Sequence, residues 1–213
     1  TAGRLYADEL GDNLKSIEHW KAVLRCAPTH VEAQQTLVVL LTAEECWEEL
    51  ALHYQERLLH LEDLSARLDV FRRLGMIVGE KLGRDRDSLG HWQSVLDLDP
   101  RAVDALRAML HVYRVHGMWP DVAVAARKLI PLTDPKEAKE ARLLLADALG
   151  LHLGQTEESL RLAREVRATE PHTVDLLLRL CAVLRSMGAW EDLVATLEKV
   201  GSGETDPAAR VRI

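Results

Sequence analysis

The chain has 213 residues and a formal net charge of -7 at pH 7. Binding to the phosphate backbone of nucleic acids normally requires a basic face, so we expect no nucleic-acid partner. Aromatic residues make up only 4% of the chain, and the many Leu, Ala, Arg and Glu residues favour helices over strands.

No segment reaches the ~18 uninterrupted apolar residues of a membrane span, and no basic segment leads into an apolar run at the N-terminus. Three cysteines, Cys26, Cys46 and Cys181, show no CxxC pairing. This pattern is typical of a reducing compartment. We therefore predict a cytoplasmic protein without membrane insertion.

The apolar spacing predicts helices along the whole chain. In chain order they lie at about 29–44, 47–61, 64–82, 86–98, 102–116, 120–130, 136–153, 157–169, 172–187 and 190–200, with two more before residue 27. Proline stops the preceding helix at Pro28, Pro100 and Pro171 because it lacks an amide hydrogen. Asp85 and Thr156 offer side-chain oxygens near the start of the next helix.

The turn between paired helices recurs along the chain, which indicates a repeat protein. It falls at Gly11, Glu45, Gly83, Gly117, Gly154 and Gly188, in steps of 34, 38, 34, 37 and 34 residues. The longer steps place three or four extra positions near the first helix of every second unit. The spacing of 72 and 71 residues between Trp47, Trp119 and Trp190 has the same double period.

We therefore predict an all-α fold, a right-handed α-solenoid of about six antiparallel helical hairpins that forms a single domain over 1–213. The hairpins are predicted at approximately 1–28, 29–62, 63–100, 101–134, 135–171 and 172–205. The chain begins without Met, Gly3–Leu10 matches only the later part of other first helices, and Asp206 starts a further hairpin. We expect a fragment of a longer protein whose uncapped ends allow self-association.

One apolar stripe includes Ile17 and Trp20, and an equivalent stripe includes Trp92. A Trp on an apolar helix face is usually core, so these rings are predicted to fill the space between hairpins. The alternative is an exposed aromatic anchor for a partner.

A small residue, an aromatic residue four positions later and a proline eight positions further on recur along the chain. The matching sets are Ser16, Trp20 and Pro28; Ser88, Trp92 and Pro100; and Ser159 and Pro171 with Ala163 in the aromatic slot. First helices carry a small residue at Gly75, Ala146 and Cys181. This pattern resembles the tetratricopeptide repeat family. HAT and other helical-hairpin repeats are alternative names for the same architecture.

The resemblance implies a concave groove lined by the first helices of the hairpins. The positions that it carries over are Glu32, Gln35, Val39, Asp104, Arg107, His111, Arg114, Asp175, Leu178 and Arg185. Their mixture of Arg, Gln and His is compatible with an acidic or extended peptide, although charges on a helix face are most often a solvated surface. Members that clamp chaperone C-termini use Lys and Asn, and the only Asn here is Asn13.

The sequence lacks GxxxxGK[ST], GxGxxG, GxSxG and HExxH motifs. His53 and His60 lie two turns apart, about 10 Å along a helix, too far to ligate one ion without other residues. Cys181 is expected to pack as a small apolar group. We therefore predict no catalytic residue, no metal and no cofactor.

The predicted function is a protein-protein interaction scaffold that binds a peptide or helix of a partner in its groove. Two alternatives remain open. The chain could be a regulatory or substrate-recruiting region of a larger enzyme, such as a glycosyltransferase or kinase, or it could assemble with copies of itself.

Overall fold

The computed structural model describes residues 13–169 and 173–201, and this part of the chain forms eleven α-helices and no strand. The helices are α1 (Asn13–Cys26), α2 (Val31–Ala43), α3 (Trp47–Leu58), α4 (Leu64–Met76), α5 (Asp85–Leu98), α6 (Val103–Val115), α7 (Trp119–Leu129), α8 (Pro135–Asp147), α9 (Thr156–Ala168), α10 (Val174–Ser186) and α11 (Trp190–Gly201). Their ends lie within about three residues of the predicted ends, except that α4 and α8 end six residues early, at Met76 and Asp147, where the chain continues in π-helical turns. The predictions for Gly3–Leu10, Gly11, Pro171 and Asp206 lie outside the described residues.

Each pair of helices is joined at the predicted turn position by a residue with positive φ. Gly83, Gly117, Gly154 and Gly188 have φ values of 64° to 68°, and Glu45 has φ 53°. Glycine adopts this left-handed conformation without the steric cost that a side chain adds. The repeat therefore depends on backbone geometry. Among these five turn residues, Glu45 is the one that adopts positive φ while carrying a side chain.

The extra residues of the longer units lie at the end of their first helices. There α4 continues into a π-helical turn at Ile77–Lys81, and α8 continues into one at Ala148–His152. A π turn takes in additional residues without ending the helix. Counted back from the glycine between the paired helices, residues that precede these π turns therefore lie about four positions further away than their counterparts in the shorter units.

Side-chain caps occur at four of the five first helices in the described residues, and α6 is the exception, with Ala102 at its N-cap position. His30, Asp63, Asp134 and Thr173 accept hydrogen bonds from amides in the first turns of α2, α4, α8 and α10, respectively. The second helices α5 and α9 begin at Asp85 and Thr156 themselves, with no side-chain hydrogen bond at the cap. The predicted side-chain oxygens of Asp85 and Thr156 therefore do not occupy the N-cap position. These two helices start directly after the tight turn, without a capping side chain.

The chain divides into two compact units, residues 1–100 and residues 101–213. In the first unit, α1–α4 share a core that includes Trp20, Leu41 and Leu74, all nearly inaccessible to solvent. Trp92 of α5 is also buried, with 6% exposed. Its ring lies against Gly75 of α4, so it fills space within its own hairpin. Both Trp rings are buried as predicted, but the Trp92 ring packs within its own hairpin and not in the predicted space between hairpins.

The second unit builds its core with a different pair of residues at the same repeat positions. Ala146 and Ala163 stand where the first unit has Gly75 and Trp92, and both alanines are buried. The Ser159 hydroxyl donates a 2.6 Å hydrogen bond to the carbonyl oxygen of Ala146 and links α9 to α8. The two units therefore fill equivalent positions with different side chains, Gly and Trp in the first unit and two Ala residues in the second.

Within each unit, the Trp at the start of a second helix contacts the end of the next first helix. The Lys81 ammonium lies 5.0 Å from the ring centre of Trp47. The ring of Trp119 stacks on His152 with centroids 3.6 Å apart. These contacts give Trp47 and Trp119 a structural role between successive hairpins.

The all-α class of helical-hairpin repeats is thus confirmed. No helix in residues 13–169 or 173–201 has the length and apolar character needed to cross a membrane.

Candidate protein-binding faces

The first helices of the second unit form a shallow cavity of about 200 Å³ between α6, α8 and α10. Three of the residues predicted for the groove, Arg107, His111 and Arg114, lie along the exposed side of α6 and line this cavity. They share one side of the helix because residues three and four positions apart are neighbours on its surface. The structure therefore brings these three predicted residues together.

Arg107 is held by a bidentate ion pair. Its Nε and Nη2 atoms donate to the two carboxylate oxygens of Glu137 on α8, each at 2.5 Å. Hydrogen bonding to Arg107 lowers the pKa of the Glu137 carboxyl, and the same contact raises the pKa of the Arg107 guanidinium. Both groups are therefore charged at neutral pH, and the contact joins α6 to α8.

Arg179 of α10 completes the other side of the cavity. Its Nη1 atom lies 3.5 Å from Oε2 of Glu140 and 3.8 Å from Oδ2 of Asp175. Asp175, one of the predicted residues, does not line the cavity and contacts Arg179, which does. Its carboxylate offsets the charge of Arg179.

His111 and Arg114 differ from these neighbours. Both side chains are exposed, and neither makes an ion pair within the part of the chain described here. The charged residues that line the cavity are three arginines, Arg107, Arg114 and Arg179, and two glutamates, Glu137 and Glu140, a net charge of +1, and Arg114 is the arginine without an ion pair in the described residues. The arrangement presents one cation and one imidazole to an incoming hydrogen-bond acceptor.

The remaining predicted residues of this unit do not line the cavity. Asp104 is exposed one turn before Arg107, and its charge raises the pKa of that guanidinium. Leu178 is half exposed on α10, and Arg185 is exposed in the last turn of the same helix. These three positions flank the cavity residues along their helices.

Glu32, Gln35 and Val39 belong to α2 of the first unit. Glu32 is half-buried, whereas Gln35 and Val39 are exposed. None of them lines a described cavity, although a small apolar depression of about 230 Å³ lies beside them, lined by Val38 and Met76 among others. The structure therefore does not gather the α2 residues into a site.

The sequence prediction missed Glu137, Glu140 and Arg179. Positions counted back from the turn place Gln35, Arg107 and Leu178 at one repeat position, ten residues before Glu45, Gly117 and Gly188. In α8 the π turn adds four residues, so the corresponding position is Glu140. Correcting for the extra residues would have found both glutamates.

Second helices carry a separate series of ion pairs at one repeat position. A cation ten residues after one turn meets an acid four residues after the next turn. The pairs are Lys21 with Glu49, Arg127 with Glu158, and Arg164 with Asp192. Arg167 also bonds Asp192, at 2.9 Å. Exposed pairs of this kind contribute ~0–1 kcal/mol each, and they fix register more than they add stability.

No group of three or more His, Cys, Asp or Glu side chains in the described residues could hold a metal ion. Cys181 is buried, as predicted for a packing position, and burial raises the pKa of its thiol. A thiol with a raised pKa carries little thiolate at neutral pH and is a poor nucleophile.

No protein-family model and no curated protein matches the sequence. Among solved structures, a tetratricopeptide repeat protein from Parabacteroides merdae ATCC 43184 aligns at 18% identity and TM-score 0.49, over 97% of this chain and 78% of that one. MamA aligns at 17% identity and TM-score 0.49, over 78% of this chain and 93% of MamA. YrrB, described as a TPR protein with an unusual peptide-binding site, aligns at 13% identity and TM-score 0.49, over 77% of this chain and 80% of YrrB.

Identities this low concern the fold alone. The chain resembles tetratricopeptide repeat proteins in its fold, and the turns and hairpins described above are the features that carry this resemblance. The paired helices and positive-φ turns of the described residues make it a helical-hairpin repeat protein.

Proposed function

We propose that the chain is a protein-binding scaffold and that the exposed side of α6 in the second unit binds an extended peptide with acidic side chains. The observation that carries this proposal is the excess charge of the cavity beside α6. Arg114 and His111 face it without a carboxylate partner among the described residues, while Arg107 and Arg179 are already neutralised.

The ion pairs support peptide recognition in a second way. The bidentate contact of Arg107 with Glu137 fixes the two first helices relative to each other, so the cavity is preformed. Preformed sites lose less conformational entropy on binding. An aspartate or glutamate of the partner would accept hydrogen bonds from Arg114 and His111, and recognition rather than catalysis would be the activity.

The test is affinity selection of a displayed library of random peptides on the full chain. We expect the selected peptides to be enriched in Asp and Glu and to lose about tenfold or more in affinity for the variant Arg114→Glu. Arg107 is unsuitable for this test, because its reversal would place two carboxylates beside each other at Glu137 and disturb the structure itself.

Lys128→Glu is the matched control. Lys128 is exposed in the last turn of α7, as Arg114 is in the last turn of α6, so both reversals change the net charge and the helix-terminus electrostatics alike. Lys128 does not line the cavity. Equal loss of binding in both variants, or selected peptides without acidic enrichment, would contradict the proposal.

A further inference from the structure

An apolar stripe on α11 is exposed, although the equivalent positions of other second helices are covered. Trp190, Val194 and Leu197 stand two, six and nine positions after the turn, and they are 63%, 55% and 48% exposed. They lie on one face of α11, because residues three and four positions apart are neighbours on a helix. A contiguous exposed apolar stripe marks an interaction site, which single scattered apolar residues do not.

In α3 the same three positions are covered by the next first helix. Trp47 is half-buried, and Ala51 and Tyr54 are buried. The Arg73 guanidinium of α4 lies 6.0 Å from the ring centre of Tyr54, and Lys81, after α4, lies over the ring of Trp47. An amphipathic helix packed antiparallel to α3 therefore buries this face.

The second unit repeats this arrangement at α7. Trp119 is half-buried, and Ala123 and Ala126 are buried. His152, in the π turn after α8, stacks on the Trp119 ring. Among the described residues, the α11 stripe is thus the corresponding docking face without a covering helix.

The border of the α11 stripe is acidic. Glu191 and Glu198 are exposed and lie three and four positions from Val194, so both are its neighbours on the helix surface. Neither forms an ion pair within the described part of the chain, whereas Asp192 is already held by arginines of α9. A partner with basic side chains complements this border.

At α3 the covering element supplies such cations. Glu48, the counterpart of Glu191, accepts hydrogen bonds from Arg84, with Oε1 2.5 Å from Nη2. Arg84 stands three residues after Lys81, just beyond the turn that follows the covering helix. Two cations three residues apart thus complete this face, one over the Trp ring and one on the carboxylate.

We propose that the α11 stripe binds an amphipathic helix of a partner protein, with an aliphatic face and two cations three residues apart at its C-terminal end. One cation lies over the Trp190 ring and the other pairs with Glu191. A second copy fits less well, because antiparallel pairing of two stripes brings Glu191 of one copy beside Glu198 of the other. The site is separate from the α6 face and takes a basic helix instead of an acidic extended peptide.

A peptide with residues 63–86 of this chain is the probe, because it contains the helix that covers α3 together with Lys81 and Arg84. The full chain is titrated into the labelled peptide, and binding is followed by fluorescence anisotropy. We expect one-to-one binding that Val194→Asp weakens about tenfold or more. Val124→Asp is the matched control, since Val124 is an equally exposed valine of a second helix outside the stripe positions. No binding, or equal loss in both variants, overturns the proposal.

An exchange of charges tests the role of Glu191. Glu191→Arg in the chain, or Arg84→Glu in the peptide, should each weaken binding about fivefold or more, and the two together should restore most of it. Glu191 is exposed, so we expect an unchanged helical circular dichroism spectrum in this variant. Losses that add without recovery overturn the pairing.

Two other occupants give distinct results. Self-association of the wild type in sedimentation velocity, abolished by Val194→Asp, assigns the stripe to a second copy. Peptide binding that appears only in the variant Val211→Asp combined with Ile213→Asp assigns it to the chain's own residues after α11. Either result overturns the assignment to a partner protein.

Discussion

The close approach of Gly75 to Trp92 offers a sharp test of how the hairpins pack. A Cβ atom added at Gly75 would lie 2.5 Å from Cε2, 2.8 Å from Cδ2 and 2.9 Å from Cζ2 of the Trp92 ring. Nonbonded carbon atoms prefer ~3.5–4.0 Å. Trp92 is buried with 6% exposed and belongs to a rigid ring system, so it cannot move aside easily.

The effect of Gly75→Ala follows from two opposing contributions. Overpacking of a core costs about 1–3 kcal/mol, whereas replacing a helical Gly by Ala contributes about 0.5–1 kcal/mol of stability. We expect the overpacking to dominate and the free energy of unfolding to fall by about 1–2 kcal/mol. Trp92→Ala should lower it by about 3–5 kcal/mol through loss of the buried ring.

Gly90→Ala is the matched control, because Gly90 is also a helix-interior glycine but has open space where the Cβ would be added. We expect it to raise the free energy of unfolding by about 0.5–1 kcal/mol. All variants are measured by urea denaturation followed by circular dichroism at 222 nm, since fluorescence would change directly with Trp92. The slope of each transition is compared to confirm that the variants unfold alike.

The double variant Gly75→Ala and Trp92→Ala completes the argument. It introduces the pair that the second unit already has at Ala146 and Ala163. With the ring removed, the added methyl no longer clashes, so Gly75→Ala should be neutral or stabilising in that background. This gives a coupling energy of about 1–3 kcal/mol. Additive effects, or a stabilising Gly75→Ala in the wild-type background, would refute the packing described here.

Two further predictions concern the first unit. His53 has a folded-state pKa of about 4, below the ~6.5 of an unfolded chain, so its contribution to stability is complete above pH 6.5 and is lost as the pH falls towards 4. Between pH 7.5 and pH 5 we expect the free energy of unfolding to fall by about 2 kcal/mol more in the wild type than in His53→Ala. If the free energy of unfolding falls by the same amount in both proteins, the imidazole of His53 is not buried in its neutral form. Glu45→Gly should raise the free energy of unfolding by about 0.5–1 kcal/mol and should raise the thermal midpoint with it. The reason is that Glu45 has φ 53° where the other four described turns have Gly. A lower midpoint would show that the Glu45 side chain contributes to the turn.

Much of the fold could be read from the sequence because its repeat is fixed by local geometry. Glycine is needed where the chain turns at positive φ, proline ends helices, and apolar stripes follow the helix period. The turns at Gly83 and Gly117 therefore lay where the spacing predicted them. The buried state of Trp20 followed for the same reason, since its neighbours on the stripe are apolar.

The candidate site was only partly predictable. Arg107, His111 and Arg114 lie on one helix, so helix periodicity sufficed to place them together. Their partners Glu137 and Arg179 come from other helices, and the π turn of α8 shifts the count back from Gly154 by four residues. Which cation is neutralised and which remains available depends on contacts between helices.

The sequence by itself determined the helices, the turns and the repeat, because these depend on conformational preferences within one hairpin and recur with it. Only the tertiary structure decided that Gly75 accommodates the Trp92 ring, that Glu137 neutralises Arg107, and that Nε2 of His53 is buried without a hydrogen-bond partner in the described residues. Burial, ion pairing and cavity shape arise where side chains from separate helices meet. Those distances are set by the packing of whole helices and not by residues that are neighbours along the chain.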